Sequence, residues 1–235
     1  MKKFIIEDSF WSLFPEVKIG VITCHGIDNT IKDSEQYRKM ISTAEEEALN
    51  YLQNTKFSNN PIIKVWREAF QKFKTKKGAR SSIEALLKRI DKGNHIGTIN
   101  PLVDIYNAIS LKYGLPCGGE DIDKFVGDIR LTMAVGDEEF LPLGKDENSP
   151  PYEGEIIYKD DKGAICRCWN WREAVRTMLT ENTTNAFLCI ELIDESRLVE
   201  FENALKELST LVKGNLGGTI KMSILDINNK EIVID

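Results

Sequence analysis

Apolar residues recur at helical spacing over most of the first half of the chain and at strand spacing over most of the second half. Spacings of three and four residues are typical of amphipathic helices and predict helices over 35–52, 63–73, 83–90 and 103–111. Short runs rich in β-branched residues predict strands over 17–24, 129–135, 139–143, 155–158, 164–168, 186–193, 220–227 and 231–234. One more helix is predicted over 198–212.

Capping and stop residues bound several of these elements. Ser81 or Ser82 is expected to cap the third helix, Gly114 to end the fourth and Gly214 to end the fifth. The last two predicted strands are expected to form a hairpin. Because helices and strands do not alternate regularly, the sequence predicts an α+β layered fold rather than a doubly wound one. Without a repeat or a linker, residues 1–235 are predicted to form a single domain.

Composition places the chain among globular proteins, with 42% hydrophobic and 29% charged residues. No apolar run approaches the 18 residues or so of a membrane span, and residues 1–8 are too short an apolar segment for a signal peptide. The chain has five cysteines, an odd number at irregular spacing that fits a reducing compartment better than a disulfide framework. We therefore expect a cytoplasmic protein with no membrane partner.

Charge is distributed unevenly along the chain. The stretch from Lys64 to Lys92 holds ten Lys or Arg against three Asp or Glu, although the net charge of the whole chain is −6. Such a stretch can contact the phosphates of a nucleic acid. Charge alone favours the simpler interpretation, which is a solvated pair of helices.

Familiar catalytic and metal-binding motifs are missing. The chain has two histidines and contains no HExxH, GxSxG, P-loop or dinucleotide-binding pattern. Cys166 and Cys168 could bind a metal together with His25 or Cys24, but alternation along a strand is equally typical of thiols in the core. We predict no metal site and no cofactor.

A cluster of aromatic and polar residues follows one predicted strand. Trp169, Asn170, Trp171 and Arg172 come directly after Cys168. Two interpretations stay open: the tryptophans cover the core at the end of the strand, or they and the arginine form a pocket wall for an anionic ligand.

Two further polar features stand out against apolar surroundings. Glu191 lies in the run from Phe187 to Ile193, where a carboxylate is costly unless it is paired or faces solvent. Asn100, Asp104 and Asn107 follow helical spacing and form one polar stripe. This stripe either caps and solvates the helix or lines a site.

Together these features resemble a known family. The stretch from Asn100 to Lys124 resembles the signature of the tRNA-editing (B3/B4) domain in the beta subunit of bacterial phenylalanyl-tRNA synthetase, N-N-V-V-D-x-T-N-Y-V followed by G-Q-P-x-H-A-F-D-x-D-K. The similarity continues through Gly127–Gly136 and the turn at 161–163, and ends near Glu191, where the family has L-E-x-A. It covers roughly residues 80–195, and the order of its parts makes it specific.

The resemblance implies a layered β-sandwich of mixed topology with helices packed on one side, and a free-standing editing-type domain. In the synthetase, this domain hydrolyses tyrosine wrongly attached to phenylalanine tRNA. Nothing in the chain resembles the catalytic core of the synthetase, so no ligase activity is expected.

The resemblance also implies roles for individual residues. Asn107 matches the family's pocket asparagine, with Tyr106 in place of the preceding threonine. Glu191 matches the glutamate that accepts the hydroxyl of tyrosine. Two segments depart from the family: Gly118–Asp121 replaces H-A-F-D, which removes the pocket histidine, and Arg167–Arg172 replaces a glycine-rich wall.

The leading hypothesis is therefore trans-acting hydrolysis of a mischarged aminoacyl-tRNA, or tRNA binding. In this hypothesis Asn107 and Asn170 position polar groups, Arg80 or Arg172 holds the ribose or the terminal phosphate, and Glu191 reads the side chain. The helix with Asn107 and the strand with Glu191 would face each other across one cavity.

The expected substrate-binding residues are Asn100, Tyr106, Asn107, Trp169, Asn170, Arg172 and Glu191, and the expected tRNA contacts are Lys76, Lys77 and Arg80. The alternative is a module without catalysis that holds a free amino acid or a small carboxylate, or that regulates a partner. A scaffold that retains only the fold is a third possibility. The oligomeric state does not follow from the sequence.

Overall fold

A computed structural model describes residues 1–235, which form two β-sheets and six α-helices. The six-stranded sheet has the order β10-β1-β4-β5-β6-β7 and the four-stranded sheet the order β3-β8-β2-β9. The strands are β1 (Lys3–Ile6), β2 (Lys18–His25), β3 (Cys117–Asp121), β4 (Ile129–Met133), β5 (Ile156–Lys159), β6 (Ala164–Arg167), β7 (Arg172–Glu173), β8 (Asn185–Leu192), β9 (Thr219–Leu225) and β10 (Glu231–Val233). The helices are α1 (Asp8–Trp11), α2 (Ser34–Ala48), α3 (Pro61–Ala69), α4 (Ser82–Asp91), α5 (Pro101–Tyr113) and α6 (Leu198–Leu216).

The α+β class and the mixed topology are as predicted. Strands β1 and β4 pair in parallel, whereas every other strand pair is antiparallel. Helices α5 and α6 cover one face of the four-stranded sheet. None of the six helices is both long and apolar enough to cross a bilayer.

Strand β8 is buried on both faces, which explains its nearly continuous apolar sequence. Leu188 and Ile190 belong to the core that the sheet shares with α5 and α6. Phe187 and Cys189 turn the other way, and the Phe187 ring lies 5.0 Å from that of Phe4 in the six-stranded sheet. Because side chains alternate along a strand, Glu191 also faces the space between the sheets.

The helix ends follow local chemistry. The Ser81 side chain caps α4 by accepting from the backbone N–H of Glu84, and Asn100 caps α5 by accepting from Val103. Helix α5 ends at Gly114, which has a left-handed φ of 58°.

Several elements differ from the predictions. Residues 139–143 form no strand and make only one bridge, between Pro142 and Ala174. Helix α6 continues through Gly214 to Leu216, where its apolar spacing ends. Strands β9 and β10 belong to different sheets, so they form no ordinary hairpin. Strands β1, β3 and β7 and helix α1 were not predicted; the sequence of β3, CGGED, has no β-branched residue.

A candidate ligand-binding cavity between the sheets

A partly enclosed cavity lies where β3 and β8 face β5, β6 and the start of α4. The volume open to the centres of water molecules in this cavity is about 50 Å³. That is room for a few waters, on the order of 100 Å³ of molecular volume, and therefore suits an amino-acid-sized group rather than a nucleotide. The cavity is lined by Ser82, Cys117, Gly118, Gly119, Glu120, Tyr158, Cys166, Trp169, Asn170, Glu173, Phe187, Cys189 and Glu191.

Three thiols in this wall are neutral. Burial raises the pKa of Cys117, Cys166 and Cys189 well above the usual value of a thiol. A thiol with a raised pKa is a poor nucleophile. The described residues contain no group of three or more His, Cys, Asp or Glu positioned to hold a metal ion.

Glu191 lies at one end of the cavity and is 1% exposed. The Tyr158 hydroxyl donates to its Oε1 at 2.6 Å, and the Asn170 side-chain amide donates to its Oε2. Burial is the main reason why the pKa of this carboxyl rises from 4.5 to about 7, although both hydrogen bonds favour its charged form. Both oxygens of Glu191 are therefore engaged within the protein.

Asn170 links this carboxyl to helix α4. Its Oδ1 accepts from the backbone N–H of Ser82 at 3.1 Å, while its amide holds Glu191. The preceding residues Cys168 and Trp169 have left-handed φ values of 47° and 65°. Such conformations cost energy in non-glycine residues and are held by their surroundings. This turn directs the Trp169 ring into the core and Asn170 into the cavity.

Trp169 is both a core residue and a wall of the cavity. Its ring is fully buried and lies 4.6 Å from the Phe14 ring and 5.0 Å from the Trp66 ring. Its indole N–H lies on the side of Glu191 and favours the charged form of that carboxyl. The same Nε1 has no hydrogen-bond partner within the protein.

Unpaired polar atoms concentrate at this cavity. Only four buried side-chain polar atoms in the chain have no partner within the protein, and three of them belong to lining residues: Ser82 Oγ, Glu120 Oε2 and Trp169 Nε1. The fourth, Thr177 Oγ1, lies beside Glu120. Since buried polar groups are nearly always paired, their convergence indicates a binding site.

The structure brings Trp169, Asn170 and Glu191 together in the cavity and places the other four expected substrate-binding residues outside its lining. Asn100 is buried at the start of α5, where its Oδ1 also accepts from Asn29 at 3.1 Å. Arg172 is exposed, and its guanidinium stacks on Trp171 at 4.6 Å.

Tyr106 and Asn107 lie on α5 and do not line the cavity. Tyr106 is buried in the core beside β3, and burial raises its pKa well above the usual value. Asn107 is half-buried. Because no residue of α5 lines this cavity, the structure does not place Asn107 opposite Glu191 across it.

The expected tRNA contacts precede the cavity wall in the chain. Arg80 lies two positions before Ser82, one of the half-buried residues that line the cavity. Lys77 and Arg80 are exposed, and neither forms a salt bridge. Lys76 is half-buried and donates to the Ser149 hydroxyl at 3.0 Å.

Sequence reasoning missed several lining residues, including Ser82, Glu120, Tyr158 and Glu173. Glu120 lies within Gly118–Asp121, the segment that departs from the family pattern. This departure from the family pattern was the feature of the sequence that could have identified Glu120 as a site residue. An acidic residue where the family has an apolar one points to different ligand contacts.

Comparisons with known proteins identify related domains. The family model described as the B3/4 domain matches residues 65–212. The beta subunit of phenylalanine–tRNA ligase from Mycoplasmoides gallisepticum is 33% identical over 107 residues, which are 46% of this chain and 13% of that protein. The corresponding subunit from Colwellia psychrerythraea is 30% identical over 114 residues, 48% of this chain and 14% of that protein. This chain therefore spans about one seventh of the length of these relatives.

A solved N-terminal fragment of the phenylalanyl-tRNA synthetase beta subunit from Pyrococcus horikoshii aligns with 92% of this chain and 49% of the fragment, at 14% identity and a TM-score of 0.44. The sequence relatives connect the chain to one domain of a tRNA synthetase subunit. Because the B3/4 model matches more than half of its residues, the chain belongs to the B3/4 domain family.

Proposed function

We propose that the chain binds the aminoacyl end of a tRNA in this cavity and hydrolyses the ester of a mischarged tRNA in trans. The observation that carries the proposal is the convergence of three unpaired, buried polar atoms on one amino-acid-sized cavity. Exposed cations at Lys77 and Arg80, five and two positions before the lining residue Ser82, suit the phosphates of the tRNA end.

In the proposed reaction, water adds to the ester carbonyl carbon. The bond from that carbon to the ribose oxygen then breaks, the amino acid leaves with the oxygen of the water, and the ribose oxygen takes a proton. The Ser82 hydroxyl and the Trp169 indole N–H are the free donors in the cavity, and they would stabilise charge on the carbonyl oxygen. Since the lining thiols are neutral, orientation of the water rather than a covalent intermediate would provide the rate.

The test is deacylation of a panel of mischarged tRNAs, one amino acid at a time. We expect at least one ester to be hydrolysed faster than in buffer, and the rate to fall in Ser82→Ala. A panel with no hydrolysis above buffer would overturn the catalytic part of the proposal.

Binding of tRNA is tested separately by titration at several salt concentrations. The double variant Lys77→Ala/Arg80→Ala is expected to weaken binding and to reduce its salt dependence. The matched control is Lys206→Ala/Lys221→Ala, which removes two exposed charges outside the basic stretch. Equal effects of the two double variants would show that the basic stretch is not the tRNA-binding surface.

A second candidate function is binding without hydrolysis. It is favoured by the engagement of Glu191, whose two oxygens are held by Tyr158 and Asn170. In this case the protein would retain an aminoacyl-tRNA, or a free amino acid, and leave it intact. Tight binding of a mischarged tRNA with no deacylation would support this candidate over the first.

A further inference from the structure

The cavity has an unusual balance of charge. Three carboxyl groups line it, those of Glu120, Glu173 and Glu191, and no Lys, Arg or His is among the lining residues. Burying a charged group is costly unless a partner of opposite charge is present. The cavity therefore has no positively charged side chain to pair with an anion, whereas its three carboxyl groups can pair with a cation.

Two of these carboxyls lack a cationic partner within the protein. Neither Glu120 nor Glu173 forms a salt bridge, and Glu120 Oε2 is buried without any hydrogen bond. Arg176, whose charge acts on Glu120, forms its salt bridge with Asp160 at 2.7 Å. Glu191 differs, because Tyr158 and Asn170 already donate to it.

Neighbouring groups favour the neutral forms of these carboxyls as long as no cation is bound. Burial and the mutual repulsion of the two carboxyls raise the pKa of Glu120 well above its usual range, and burial raises that of Glu173. The Thr177 hydroxyl and Arg176 act weakly in the opposite direction on Glu120. A cation placed between the two carboxyls would remove the repulsion and favour their charged forms.

The remaining free polar atoms are neutral. Ser82 Oγ and Trp169 Nε1 can donate to a carbonyl oxygen, but neither provides the positive charge that a buried carboxylate needs. A free amino acid carries both an ammonium and a carboxylate. An aminoacyl ester carries the ammonium and an uncharged carbonyl, and so matches the cavity at both points.

We propose that Glu120 and Glu173 form an ammonium subsite, so that the cavity takes ligands with a protonated amine and a blocked carboxyl, such as aminoacyl esters, in preference to free amino acids. This inference rests on the proposed function in taking an aminoacyl group as the ligand. The subsite selects the chemical class of the ligand, and the rest of the wall selects its side chain.

The experiment measures binding of four methyl esters, those of alanine, leucine, phenylalanine and tyrosine, by calorimetry at pH 7. Each ester is compared with its free amino acid and with its N-acetyl methyl ester, which has no ammonium. We expect at least one ester to bind at least tenfold more tightly than both of its counterparts. Equal binding of the free amino acid or of the N-acetyl ester would overturn the subsite.

Variants assign the effect to residues. Glu120→Gln and Glu173→Gln are expected to weaken binding of the ester at least tenfold, whereas the exposed control Glu181→Gln leaves it unchanged. Thermal unfolding verifies that each variant is folded. Ester binding that is unchanged in both subsite variants would also overturn the inference.

A parallel titration with aminoacyl-tRNA separates this inference from the proposed function. Binding of aminoacyl-tRNA that is insensitive to Glu120→Gln and Glu173→Gln overturns the subsite and leaves the proposed function intact. Glu120-dependent binding of an ester, with no affinity for aminoacyl-tRNA, supports the subsite and overturns the proposed function. Absence of binding to every ester and to aminoacyl-tRNA overturns both.

Discussion

Replacing Glu191 by glutamine is expected to flatten the pH dependence of stability. The folded carboxyl has a pKa of about 7 against an ordinary 4.5, because it is buried. A raised pKa means that the folded state binds the proton more tightly than the unfolded chain. Stability from this group is therefore complete below about pH 4.5 and is lost as the pH rises through about 7.

The magnitude follows from the two pKa values. A difference of about 2.5 in pKa corresponds to about 3 kcal/mol, since each pKa unit is worth about 1.4 kcal/mol. Between pH 5 and pH 8.5 the group should lower the free energy of unfolding by about 2 to 3 kcal/mol. Glutamine does not titrate, so Glu191→Gln should remove this part of the slope.

The assay is urea unfolding of the wild type and of Glu191→Gln at pH 5 and pH 8.5. The variant also loses an acceptor for Tyr158 or Asn170, which should cost about 1–3 kcal/mol at both pH values. The informative quantity is therefore the difference between the two pH values and not the absolute stability. Glu120 and Glu173 contribute slopes of the same sign, which remain in the variant.

Two controls accompany this measurement. The exposed Glu181→Gln should retain the slope of the wild type. Tyr158→Phe removes the 2.6 Å hydrogen bond that favours the charged carboxylate, so it should raise the pKa of Glu191 and move the loss of stability to higher pH. An unchanged slope in Glu191→Gln would refute the reasoning, because it would show that the carboxyl is not buried in the folded protein.

Three further substitutions probe the cavity. An alanine methyl at Gly118 would meet only Cys189 Sγ, at 3.8 Å, so Gly118→Ala should leave the melting temperature nearly unchanged and weaken ester binding by filling space. At Gly119 the methyl would lie 2.6 Å from a Leu188 methyl, so Gly119→Ala should destabilise the protein by about 1–3 kcal/mol in urea unfolding. Ser82→Ala removes an unpaired hydroxyl and should change stability by less than about 0.5 kcal/mol while weakening ligand binding in calorimetry.

The part of the site on strand β8 could be predicted from the sequence. A lone carboxylate within an apolar run is conspicuous, and alternation places it on the same face as Phe187 and Cys189. The aromatic cluster after β6 was also visible, and Trp169 serves as core and wall at once. At Glu191 and Trp169 the local sequence pattern and the tertiary packing therefore point to the same positions.

The rest of the site depends on tertiary contacts that no local pattern reveals. Strand β3 contributes Gly118, Gly119 and Glu120, yet its extended form comes from pairing with β8 and not from β-forming residues. The polar stripe with Asn107 was visible, but helical spacing alone does not tell which side of a sheet the helix covers. Helix α5 packs against both core clusters, through Ile105 and Ile109 on one side and Ala108 and Leu111 on the other, and this placement does not follow from spacing alone.

The pairing of Tyr158 with Glu191 changes which residues can select a ligand. In the family pattern the matching glutamate accepts a hydrogen bond from the hydroxyl of a bound tyrosine. Here the Tyr158 hydroxyl already donates to Oε1 of Glu191, and the Asn170 amide donates to Oε2. A ligand hydroxyl would have to compete with both donors. The polar atoms without partners belong instead to Ser82, Trp169 and Glu120. Because an unpaired buried group gains most from a new partner, ligand selection should depend on these three residues more than on Glu191.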